Sequence, residues 1–157
     1  ICVNQEVGNV SLDLRCEGFA EGFGNVTVLP TSNDPTDVRA RVRAALDANP
    51  DIDTVLALGA ATAGEPSVAA VQDSGRADEV NVASFDLSAG FLEAVADGKA
   101  AFAIDQQQFL QGYLPVTFLA LNAEYGLIPG GDVPSGPNLV EQDAAEKVID
   151  LSARGIR

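Results

Sequence analysis

Two hydrophobic rhythms alternate along the chain, short apolar runs and longer stretches with apolar residues every three to four positions. Ile1–Asn4 reads as a short strand. Val10–Phe23 then carries Leu12, Cys16, Phe19 and Phe23 at helical spacing. Asn25–Pro30 is a second strand, with Val26 and Val28 on one face and Leu29 on the other. Helix signals are clearest between Thr31 and Pro50. Asp34 can cap, Pro35 suits the first helical position, and Asp37 sits where a capping box places an acid. Val38, Val42, Ala45 and Leu46 form the inner stripe of this helix, whereas Arg39, Arg41 and Arg43 face water. Asp37 with Arg41, and Arg43 with Asp47, are spaced to pair along the helix. Asn49 and Pro50 end it.

Asp53–Leu58 is apolar without alternation, as in a strand covered on both faces. A helix of small residues is expected over Thr62–Ser74, with Pro66 in its first turn. Val80–Phe85 is the next strand, Ser88–Asp97 a short helix stopped by Gly98, and Ala101–Gln106 a fifth strand. A longer helix, Phe109–Tyr125, contains Pro115, which should kink it. Ile128–Pro137 holds three Pro and three Gly and is a loop. Asn138–Val140 can add a brief extended piece, and Gln142–Ala153 a last helix with Ala144, Ala145, Val148, Ile149 and Leu151 as its apolar positions. Strands separated by helices imply an α/β three-layer sandwich around a mostly parallel five-stranded sheet with right-handed crossovers. The stretch from Phe109 fits that layer poorly and is expected in a different packing environment.

Charge narrows the function classes. Among 157 residues, 23 acidic and 9 basic side chains give a formal net charge of −14. A reader of nucleic-acid backbones concentrates Lys and Arg on one face, so nucleic acid is an unsuitable partner. An anionic membrane surface is equally unsuitable. With no His in the chain, Ser-His, Cys-His and His-metal chemistry are all excluded. The 46% hydrophobic content argues against a disordered acidic tail. The longest nearly apolar stretch, Val55–Gly64, is about half of the ~20 residues a membrane helix needs. The sequence starts at Ile1 without an initiator Met, which reads as a processed product or a fragment.

Two cysteines leave two readings open. Cys2 in the first strand and Cys16 in the following helix are either separate buried thiols or a strand-to-helix disulfide worth ~3 kcal/mol.

Dinucleotide and nucleotide motifs fail on inspection. Gly22-Phe23-Gly24 precedes a strand instead of following one, and Gly98-Lys99 is followed by Ala100 instead of Ser or Thr. Ser32-Asn33-Asp34 and Asp51-Ile52-Asp53 are better read as helix caps and solvated acids than as cation sites. No cofactor or metal is expected.

In an open parallel sheet, ligands bind beyond the carboxyl ends of the strands. That rule selects Asn4 and the loop to Asn9 after the first strand, Gly59 after the third, Asp86 after the fourth and Gln106 at the end of the fifth. Asp13, a turn into the first helix, can point to the same rim. Carboxylates and amides are the groups that pair with the hydroxyls of a neutral polyol. Each has a plainer alternative: Asp86 as a helix N-cap, Gln106 bonded to a loop backbone, Asp13 as a solvated helix residue.

Val82-Ala83-Ser84-Phe85-Asp86, Leu92–Gly98 and Phe102-Ala103-Ile104-Asp105-Gln106-Gln107 resemble the C-terminal half of a type 1 periplasmic sugar-binding protein of the ribose-binding kind. Arg15-Cys16-Glu17-Gly18-Phe19, Asn49-Pro50-Asp51-Ile52-Asp53 and Gln111-Gly112-Tyr113 resemble that half's first helix, its turn before the third strand and its helix after the crossover. The resemblance implies two similar lobes closing on a sugar or polyol, for delivery to the membrane permease of an ABC transporter, in the periplasm or on the extracellular face of the envelope. Residues 1–106 would be the binding lobe, 107–137 a hinge-crossing helix and loop packed on the first lobe, and 138–157 a return segment. Asp86 matches the family's hydroxyl acceptor and Gln106 its hinge amide. Asp13 stands where ribose-binding members have Arg, Gly59 where they often have Asn, and Gln108 where Pro is usual, which should loosen the start of the following helix. The site residues expected are therefore Asp86, Gln106, Asp13 and Asn9, and no catalysis. Apolar surface around Phe109, Leu110, Leu114 and Phe118 would favour self-association into a homo-oligomer. Two rival readings remain, the effector-sensing domain of a LacI-like transcription regulator and a carboxylate-dependent α/β enzyme.

Overall fold

The computed structural model describes residues 1–157. Six strands, β1 (Cys2–Asn4), β2 (Val28–Pro30), β3 (Thr54–Ala57), β4 (Asn81–Phe85), β5 (Phe102–Asp105) and β6 (Asn138–Val140), form one sheet in the order β2-β1-β3-β4-β5-β6. The first five pair in parallel, and β6 runs antiparallel to β5, matching Ala103 with Val140 and Asp105 with Asn138. The expected five-strand sheet is thus corrected to six. A three-residue segment carries almost no periodicity by itself, and pairing along the open edge of β5 is what makes it a strand.

The helices are α1 (Val10–Phe23), α2 (Pro35–Ala48), α3 (Glu65–Ser74), α4 (Ala89–Ala96), α5 (Gln108–Tyr125) and α6 (Gln142–Ala153). The α2 start follows the sequence grammar in part. Asp34 accepts the Thr36 N–H at 2.8 Å and Pro35 occupies the first helical position. Asp37, however, does not close a box on Asp34. One of its oxygens accepts from Ser32 N and Oγ at 3.0 and 2.9 Å, and the other takes Arg41 Nε at 2.8 Å. Ahead of α3, residues Ala60–Gly64 form a π-helical turn, so helical backbone begins two residues earlier than expected. Gly59 O accepts both Ala63 N and Gly64 N at 2.9 Å. Gly64 is required there, since a Cβ would lie 2.9 Å from both Phe91 Cδ2 and Ser84 Oγ.

Alternation along the strands divides the interior. Val3, Val55, Ala57, Val82, Ala103 and Val140 pack with α2, α3, α4 and α6 into the larger core. Cys2, Leu56, Leu58 and Ala83 face the other way and meet only Leu12 and Cys16 of α1 among buried residues. One outer layer is therefore four helices wide and the other a single helix. Cys2 and Cys16 form a disulfide, which decides between the two readings of the thiols and fastens α1 to β1. α5 contains no buried residue. Beyond α5 the chain rejoins the larger core, through Val140 of β6 and Ala145 and Val148 of α6. No helix is long and apolar enough to cross a membrane.

Candidate functional site

The carboxyl ends of β1, β3, β4 and β5 open onto one rim. β4 ends at Phe85, and Asp86 continues its ladder by donating its N–H to Ile104 O at 2.9 Å. The backbone then turns through the left-handed region at Asp86 (φ 67°), a conformation Asp tolerates better than most side chains. Asp86 is not the cap of α4. Ser88 holds that place, accepting the Phe91 N–H at 3.3 Å and donating to Glu65 Oε1 at 2.7 Å. The plainer reading of Asp86 therefore fails, and its half-buried carboxylate is left free of capping duty.

The partners of Asp86 are two amides. Gln106 Nε2 and Gln108 Nε2 both donate to Asp86 Oδ1, the latter at 2.8 Å. Gln106 is not spent on a loop backbone. Its Oε1 accepts from Arg15 Nη2 at 3.2 Å, and Arg15 Nη1 donates to Leu58 O at 3.1 Å. The same guanidinium lies 4.4 Å above the Phe85 ring, a favourable stacking position. Asp86, Gln106, Gln108 and Arg15 thus form one continuous network across the ends of β3, β4 and β5.

The other two expected residues stand apart from it. Asp13 Oδ1 accepts from Asn4 Nδ2 at 2.8 Å, which ties α1 to the buried end of β1 and leaves Asp13 half-buried instead of solvated. Asn9 is exposed and caps α1 through Ser11 N at 3.1 Å, with its Nδ2 on Glu6. Hydrogen bonds from Asn9 and Asn33 hold the Glu6 carboxyl below the usual carboxylate range. Asn9 caps α1 and shares no hydrogen bond with Asp86 or Gln106. The place beside Gly59 is taken, since a Cβ would come within 2.9 Å of Gln5 Nε2 and Thr62 Oγ1.

Two residues of the network went unassigned in the sequence. Arg15 falls three positions after Leu12 and one before Cys16, a lone cation beside the inner stripe of α1, and that placement was the available signal. Gln108 begins α5 where the family resemblance expects Pro, and its amide joins Asp86 to the helix start. The substitution therefore adds a tether at that point.

Hollows of two kinds lie nearby. One of about 210 Å³ opens on the rim between Phe85, Gln106, Gln111, Ser135, Gly136 and Pro137. The other, about 490 Å³, lies on the α1 side of the sheet and is walled by Leu14, Phe19, Phe23, Phe85, Phe102 and Ile104 among others. The second has far more room but a mostly apolar wall, with Arg15 among its few polar residues, whereas the rim hollow is walled by Gln106, Gln111 and Ser135 among others.

The sequence model of the periplasmic binding protein domain family matches residues 1–126. This chain belongs to that family. The periplasmic-binding-protein lobe superposes with a TM-score of 0.88 on a carbohydrate transporter from Acidothermus cellulolyticus solved with myo-inositol, at 33% identity over 99% of this chain and 55% of that one. A carbohydrate transporter solute-binding protein from Agrobacterium radiobacter, in complex with D-arabinose, shares the fold at 22% identity, TM-score 0.80, covering 99% and 54%. An arabinose-binding protein from Geobacillus stearothermophilus does so at 22% identity, TM-score 0.78, covering 96% and 55%. The chain thus spans about half the length of the structures it matches. No curated protein matches the sequence.

Proposed function

We propose that the chain is the C-terminal lobe of the sugar-binding component of an ATP-driven importer, working in the periplasm or at the outer face of the cell envelope. The observation that carries this reading is the network of Asp86, Gln106, Gln108 and Arg15 at the strand ends, with Asp86 freed from capping. The Asp86 carboxylate accepts hydrogen bonds from hydroxyls, the amides both donate and accept, and Arg15 donates only. That mixture suits adjacent hydroxyls of a neutral polyol. These groups bond to one another across the rim. A sugar entering the rim would exchange those internal bonds for its own, and closure of a second lobe would then be favoured by the added contacts. The ligand leaves chemically unchanged, for the permease in the membrane.

In this reading residues 1–106 form the binding lobe, 107–137 cross a hinge towards the other lobe, and 138–157 return. The support is the unburied α5, with Phe109 48% and Tyr113 56% exposed, beside a sheet whose β5 exit and β6 entry lie next to each other. Asp13, on a separate bond to Asn4, would border the ligand from the β1 side.

The test is calorimetry on a protein carrying both lobes, with myo-inositol, D-arabinose and D-allose as probes. Binding of at least one is expected. Asp86→Asn should weaken it by roughly 10- to 100-fold, the usual effect of losing a hydrogen bond to a charged acceptor. The 157-residue chain should bind the same sugar far more weakly, since half the wall is absent. No binding across the panel, or equal affinity in the single lobe, would overturn the reading.

A further inference from the structure

Asp105, the last residue of β5, is a fully buried carboxylate that the ligand rim does not use directly. Both its oxygens are engaged. Oδ1 accepts the Gln107 N–H at 2.7 Å, and Oδ2 accepts Arg157 Nε and Nη2 at 3.0 and 2.6 Å. The Oδ1 bond spans two residues and closes a small ring around Gln106. On its far side Gln107 lies in the left-handed region (φ 54°, ψ 56°), where a side chain of its kind rarely sits, and no side chain caps α5 there. Gly136 encloses the same peptide, because a Cβ on it would come 2.8 Å from Asp105 O and 3.2 Å from Gln106 Cα. Gln111 Nε2 adds a bond to Gln106 O at 3.0 Å.

We infer that the Arg157–Asp105 ion pair is a positioning clamp that sets the backbone of Gln106 and Gln107 so that the Gln106 amide stands between Asp86 and Arg15. The inference rests on reading Gln106 as a ligand group. A buried carboxylate keeps its charge at small cost only when a partner compensates it. Arg157 does so in the two-pronged geometry of a guanidinium, which a lysine cannot reproduce. The charged Oδ1 is then a strong acceptor that offsets the unfavourable backbone at Gln107. Arg157 makes no hydrogen bond to Asp86, Gln106, Gln108 or Arg15, its side chain bonding Asp105 alone, so its effect on ligand is exerted through Asp105.

Arg157→Gln and Arg157→Lys, in the 157-residue chain, test the clamp by amide exchange and side-chain amide NMR. In Arg157→Gln the Gln107 N–H should exchange about tenfold faster, and the Gln106 Nε2 signals should move towards free-amide positions. The central-strand amide of Ala83 should change less than about twofold. Arg157→Lys should restore only part of the loss. Unchanged Gln106 and Gln107 signals would overturn the clamp. So would equal acceleration at Ala83, because that marks general destabilisation. If Arg157→Gln unfolds the chain, the double variant Asp105→Asn, Arg157→Gln removes both charges, and native-like Gln106 signals in it overturn the clamp. In the two-lobed protein, Arg157→Gln should weaken myo-inositol or D-arabinose binding about tenfold. Failure of the unsubstituted protein to bind any probe refutes the sugar reading alone, since the NMR result stands without a ligand.

Discussion

Phe91→Ala is expected to lower stability by about 3–5 kcal/mol, and the melting temperature by on the order of 10 °C for a domain of this size. Phe91 is fully buried on α4, and its ring lies against the bare Cα of Gly64 and beside Ser84. Neither neighbour can relax into the space. Gly64 has no side chain and sits in a hydrogen-bonded π turn, while Ser84 is held by Ala57 O at 3.3 Å and Phe85 O at 2.9 Å. A cavity that stays open costs the most within the range for such truncations. Thermal and urea denaturation give the answer, and a loss under about 1 kcal/mol would show that the π turn collapses onto the gap. Ser84 and Ser88 flank Asp86, so the variant should also loosen the rim.

Removing the Cys2–Cys16 disulfide is expected to cost about 3 kcal/mol, the chain-entropy value for a loop of this length, the two residues being 14 apart. The bond joins β1 on the sheet's thinner side to that side's sole helix; Cys2 is 0% and Cys16 3% exposed, and their cluster contains few other buried residues. Less core remains there to compensate than on the opposite face. Arg15 precedes Cys16 directly and Asp13 lies three positions before it, so reduction should release the α1 side of the rim along with the helix. Melting with and without reductant, repeated on Cys2→Ala, Cys16→Ala, measures the effect. A shift below about 2 °C, less than 1 kcal/mol, would show that packing alone holds α1.

Much of the fold could be read from the residues because local and long-range signals agree. α1, α6 and β6 fall at the expected bounds, Val10–Phe23, Gln142–Ala153 and Asn138–Val140. Asp34 and Pro35 open α2 as their chemistry demands. What could not be read depended on partners distant in sequence. The π turn at Ala60 ends on Gly64, where Phe91 and Ser84 from distant parts of the chain leave no room for a side chain, and the antiparallel sixth strand exists through β5. The same division holds at the rim. Strand-end logic brought Asp86 and Gln106 into view, and the structure joins them. It did not show that Asn9 stands outside their hydrogen-bond network, capping α1. Arg15 and Gln108 escaped because their value lies in which carbonyl, ring or carboxylate they meet, and spacing along one helix does not encode that.

With one helix against β1 and four on the other face, the α1 side of the sheet keeps an apolar trough open beside it, with Phe23 50% exposed at its edge. Such a trough is a receptor for a hydrophobic reporter dye. Anilinonaphthalene sulfonate should therefore fluoresce with the folded chain at neutral pH, while the near-ultraviolet dichroism of a fixed core persists. In this protein a bright signal does not denote a molten globule. Only a further rise on acidification, with loss of that dichroism, would.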